Sequence, residues 1–112
     1  MPETILTTTT MSIEGYRISE YTGLVRGIVV RSPTLGQGLL GGLKQIVGGQ
    51  IGAYQEMCEQ AREQAYELLL QHARDLRADA VVGIRYESSE VGRQGSATEV
   101  LCYGTAVKLQ RA

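Results

Sequence analysis

The sequence predicts an α+β fold, a small antiparallel sheet backed by two helices. Three observations lead there. Glycines punctuate the run Ile46–Tyr54 between two stretches of helical apolar spacing. A helical pattern then runs without interruption from Tyr54 to Leu76. Segments of two-residue alternation lie before and after this helical half.

The elements follow in order. Residues Ile5 to Thr10 are β-branched and Thr-rich, which suits an exposed or edge strand. Gly15-Tyr16 marks a turn. Arg17 to Val25 alternates as a strand that continues through Arg31, with Gly23 and Gly27 admitting bulges. Ser32-Pro33 is a helix start, Ser32 as N-cap and Pro33 in the first turn. Leu35, Leu39, Leu43 and Ile46 then fall at helical spacing. Gly36, Gly38, Gly41 and Gly42 weaken this helix by up to ~1 kcal/mol each relative to Ala. Gly48-Gly49 are expected to end it, as the corner leading into the second helix.

On the second helix, Tyr54, Cys58, Ala61, Ala65, Leu69, His72 and Leu76 form one stripe. Early Glu56, Glu59 and Glu63 and late Arg74 and Arg77 complement the helix dipole. Tyr66, Leu70 and Ala73 widen the apolar surface in its second half. That extra width predicts packing against the first helix or against another subunit. A strand beginning near Ala80 is expected to place Ala80, Val82, Ile84 and Tyr86 on one face. Ser88 to Ser96 reads as a polar hairpin loop. The last strand, Ala97 to Leu109, sends Leu101, Tyr103, Thr105, Val107 and Leu109 one way and Val100, Cys102, Gly104 and Ala106 the other. With both faces apolar, both should be covered, and a second subunit is the natural cover.

The chain of 112 residues is one domain, spanning 1–112, and it is short of bulk: no Phe, no Trp, six Tyr. Self-association is therefore expected to add buried area. The net charge is −1 with acids and bases interspersed, so no basic surface for nucleic acid is predicted. No apolar stretch approaches the ~20 residues that would cross a membrane. The first residues carry neither a charged nor an apolar leader region, so a cytoplasmic protein with reduced thiols is expected.

Gly15-Tyr, Ile46-Val-Gly-Gly, Gly52-Ala-Tyr, Ala61-Arg, Ala78-Asp-Ala-Val-Val-Gly, Gly95-Ser and Gly104-Thr-Ala-Val-Lys, in this order, resemble the YbjQ-like family, also called UPF0145. The similarity runs from about Thr8 to Lys108. It implies an α+β fold with an antiparallel sheet backed by helices, assembled as a ring-like homopentamer, and it carries the family's heavy-metal-binding description. It supplies no catalytic residues. The chain departs from the family in the glycine-rich segment Leu35 to Leu43, where bulkier apolar residues are usual.

A soft-metal site needs converging thiolate or imidazole ligands. The candidates are Cys58, His72 and Cys102, and no two are neighbours in sequence. Cys58 and His72 lie ~21 Å apart along the helix axis and cannot share one ion within a subunit. Cys102 could meet either of them across the helix–sheet interface. The bland reading makes both cysteines small core residues and His72 a satisfied helix residue. A ring would multiply a single ligand per subunit.

Phosphate-binding loop and dinucleotide fingerprints are missing. Gly48-Gly49-x-x-Gly52 reads as a turn before it reads as an anion site. Arg85, Glu87, Glu90, Arg93 and Glu99 surround the hairpin, either as a solvated loop or as a polar vestibule on a ring axis. The sequence therefore points to a non-enzymatic oligomer that binds a metal or small ligand at subunit boundaries. An interfacial enzyme using Tyr, Arg and Glu, and a protein-interaction scaffold, are the alternatives.

Overall fold

The computed structural model describes residues 4–32, 47–93 and 97–112, and the side chains of 47–51 lie outside that description. The elements are β1 (Leu6–Thr7), β2 (Tyr16–Arg31), α1 (Val47–Asp75), β3 (Ala80–Val91) and β4 (Ala97–Arg111). They form a four-stranded sheet in the order β1-β3-β4-β2, with α1 packed on one face.

The antiparallel β3–β4 hairpin lies at the centre. β2 adds antiparallel to β4 over its whole length, from Tyr16↔Arg111 to Arg31↔Thr98. β1 joins β3 in parallel, so the sheet is mixed and the expectation of a purely antiparallel sheet is corrected. The connection explains it: β2, α1 and the rest of the chain intervene between β1 and β3, so no hairpin forces the two to run in opposite directions. Beyond β1, the amides of Gly83 and Ile84 donate to the carbonyls of Thr10 and Thr8, so the N-terminal segment keeps β3's outer edge occupied.

The first expected helix falls on residues outside those described. The expected corner at Gly48-Gly49 is overturned: α1 is already helical from Val47 and runs through both glycines and Gly52. Glycine weakens a helix without forbidding it, and the length of packed helix that follows carries the local loss.

The buried seam of α1 is Ala61, Ala65, Leu69 and Ala73, a ridge at spacing four. It packs on Val25, Val81, Ile84, Val100, Cys102 and Ala106. The stripe drawn from the sequence therefore fails at its start, where Tyr54 and Cys58 are exposed. Tyr66 and Leu70, expected to reach the first helix or a neighbour, pack against this core.

Close approach of helix and sheet depends on Gly27. A Cβ there would overlap the Ala65 carbonyl oxygen and lie 2.8 Å from both Leu68 Cβ and Leu69 N. The helix backbone itself rests on β2 at this point.

β3 departs from simple alternation. Gly83 adopts φ +64°, and the pairing with β4 slips between Val82 and Arg85. The bulge puts Val81 and Ile84 together under the helix, while Ala80 and Val82 join Val107 on the opposite face. The expectation that Ala80, Val82, Ile84 and Tyr86 share one face is corrected accordingly. On that opposite face Ile13 covers Ala80, Val82 and Val107. Further along, the face is bare: Leu24 is 64%, Ile28 46% and Val30 53% exposed. No described strand pairs with the outer edge of β2.

Candidate functional site

The three candidate metal ligands sit in three different environments. Cys102 is fully buried on the helix side of β4, opposite Gly27 on β2 and Tyr86 on β3. Burial pushes its thiol pKa up, and hydrogen-bond donation from the Tyr86 hydroxyl pulls it part of the way back. Cys58 is exposed on α1, which corrects its placement in the core. The buried seam of the helix begins at Ala61, one turn further on. His72 faces β2, where its Nδ1 accepts a hydrogen bond from the Arg26 amide at 3.2 Å. The imidazole thus fastens the helix to an edge strand through the nitrogen that would otherwise be free for a metal.

A soft-metal site therefore does not fit within one copy. A metal thiolate must be deprotonated, and the Cys102 environment favours the neutral thiol. Among the described residues no three His, Cys, Asp or Glu side chains gather around a common point.

The polar group that meets Cys102 is the Tyr86 phenol. Desolvation, and next Cys102, raise the Tyr86 phenol from 10.0 to about 12. The Arg62 guanidinium lies 5.2 Å from the centre of the Tyr86 ring. Nearby, the Tyr66 hydroxyl and Thr7 Oγ1 are hydrogen-bonded at 2.8 Å, which ties β1 to the helix. Sequence reasoning missed the Tyr86–Cys102 pair because it extended the hairpin loop over Ser88–Ser96. In the structure the strands pair as far as Val91↔Ala97, and counting back from that short loop places Tyr86 opposite Cys102.

The charged residues near the hairpin are mostly engaged with neighbours on the open face. Tyr103 donates to Glu87 Oε2 at 2.9 Å, which raises the Tyr103 pKa. Ser89 donates to Glu99 Oε1 at 3.2 Å, and Arg85 donates to the Thr9 carbonyl at 3.0 Å. This lattice of paired side chains borders the bare patch of Leu24, Ile28 and Val30.

Fold and site together define a small α+β module with one sheet face under a helix and the other partly open. The family model described as "Putative heavy-metal-binding" (YbjQ) matches residues 5–110. A UPF0145 protein of Legionella pneumophila strain Lens is 60% identical over 104 residues, 93% of this chain and 97% of that protein. A UPF0145 protein of Francisella tularensis subsp. tularensis strain WY96-3418 is 48% identical over 103 residues, 92% of this chain and 97% of its own. The chain belongs to the YbjQ-like UPF0145 family. The fold is also similar to a crystal structure of a protein of unknown function from Pediococcus pentosaceus, assigned to the DUF74 family. The TM-score is 0.61 at 18% identity, covering 95% of this chain and 98% of that one.

Proposed function

We propose that the protein is a non-enzymatic, self-assembling module that binds a metal or small ligand where copies meet, in the homopentamer that its family resemblance implies. The observation that carries this reading is the bare apolar surface of the sheet. Leu24, Ile28 and Val30 stand exposed together on β2, and the outer edge of that strand has no described partner. A long edge strand with apolar side chains is a template for pairing or burial.

A second copy is the occupant that the chemistry favours. The same face carries Arg26 and Arg85 beside Glu87 and Glu99, so symmetric copies would present both signs of charge to each other. Full burial of a Leu, Ile or Val side chain contributes roughly 1.5–3 kcal/mol, and these three are still about half available. Cys58, His72 and Cys102 do not gather within one copy among the described residues, so a soft metal held by them would have to be shared between copies.

Native mass spectrometry of the purified protein tests both halves of the reading. A closed oligomer that keeps a stoichiometric small mass supports it. A monomer, or an oligomer free of any bound mass after incubation with zinc, copper and cell extract, overturns the corresponding half.

A further inference from the structure

We propose that a cleft at the C-terminal end of α1 binds a small organic carboxylate, its charge held by Arg74 and Arg77 and its apolar body laid against Ile5 and Leu109. This site lies within a single copy and so goes beyond the reading above. The cleft, of about 710 Å³, opens between the start of β1, the end of α1 and the end of β4. That volume is in the range of small-molecule pockets.

The helix end is partly capped by its own backbone. A helix C-terminus ordinarily repels negative charge through its unpaired carbonyls. Here Ala78 N donates to Ala73 O at 3.1 Å and Arg77 N to Arg74 O at 2.9 Å, the two bonds of a Schellman ending. Leu76 N covers the His72 carbonyl at 3.2 Å. The Ala73 and Arg74 carbonyls are thereby bonded, which leaves the two cationic side chains of this last turn to set the charge that a ligand in the cleft meets.

Those side chains are cationic in excess. Arg77 holds φ 59°, the left-handed conformation that glycine takes at this position of the motif. A non-glycine residue is strained there by roughly 1 kcal/mol, so the guanidinium sits in the cleft wall at a cost to the fold. It has no hydrogen-bond or ion-pair partner among the described residues. Arg74, also in the wall, makes one long bond of 3.4 Å to Gln71 Oε1. The single carboxylate in the lining is Asp79, whose Oδ2 accepts the Leu109 amide at 2.9 Å. Two under-used guanidiniums against one engaged carboxylate favour an anion, in a chain whose overall charge is −1. The apolar residues beside them distinguish an organic acid from an inorganic ion.

A titration followed by amide NMR tests the site, with benzoate as probe and inorganic phosphate and benzyl alcohol as its charged and apolar halves. Benzoate should shift the amides of residues 4–6, 16, 77–79 and 109 saturably. Phosphate and benzyl alcohol should each bind at least about tenfold more weakly. Arg77→Asn keeps a residue that accepts positive φ and removes the charge; it should weaken benzoate about tenfold with the spectrum otherwise intact. Arg74→Gln, on the exposed side of the helix, gives a second reading of the same contact. Equal benzoate affinity in wild type and both variants would overturn the proposal. So would shifts that do not saturate, or phosphate binding as tightly as benzoate.

Discussion

At the scale of single residues, the two cysteines show how far placement governs chemistry. Cys58 is exposed and Cys102 is buried beneath the helix. A thiol-labelling reagent should therefore modify Cys58 promptly in the folded protein and Cys102 only once the chain unfolds; peptide mapping of the labelled protein reads this directly. Prompt labelling of both would mean that the helix does not shield β4 as described. Sequence pattern put both thiols in the core because Cys58 lies on the projected apolar stripe, and a helical projection cannot tell where the covering sheet stops. Tyr86 gives a second expectation. Its phenol is raised from 10.0 to about 12, first by burial and then by Cys102, so the fold prefers the neutral form. That contribution is complete below about pH 10 and is lost as pH climbs toward 12. The raised Cys102 thiol acts in the same direction. Denaturation midpoints should fall on the alkaline side and fall less in Tyr86→Phe. An identical alkaline slope in that variant would remove Tyr86 from the account.

At the scale of elements, the contact of helix with sheet turns on Gly27. Gly27→Ala should cost at least the ~1–3 kcal/mol typical of an overpacked core, because the obstructing atoms include helix backbone that cannot rotate away. Urea unfolding would measure it, and a neutral result would show that α1 rides higher above β2. The sequence revealed the long helix, the long second strand and the terminal hairpin, since each has a clear period. It marked Gly27 as a place for a bulge, whereas its role is to let a helix backbone touch a strand. The bulge at Gly83 was hidden for a related reason. Ala80, Val82, Ile84 and Tyr86 fit the alternating template so well that the one signal against it, a glycine inside the strand at Gly83, is outweighed, and pairing with β4 reveals the slip. The parallel β1 was legible as an edge strand, while its direction depends on which strand accepts it. Of the site, the residue types were visible; what brings Tyr86 to Cys102 and His72 to Arg26 is register and helix position, which local pattern does not encode.

At the scale of the whole molecule, the proposed assembly rests on one of the two surfaces that the sequence offered for a neighbour. Tyr66 and Leu70, whose excess over one helix face suggested a neighbour, are used inside the copy. The bare surface is on the second face of the sheet, which the apolar pattern of the last strand had marked for cover, at Leu24, Ile28 and Val30. Ile28→Glu places a charge in the middle of that patch without touching the helix side. The most direct measurement is the subunit count by native mass spectrometry of wild type and Ile28→Glu, with circular dichroism confirming that both are folded. The account predicts a closed oligomer, the five copies proposed above, for wild type and a folded monomer for the variant. A monomeric wild type, or a variant that keeps the full oligomer, would contradict it.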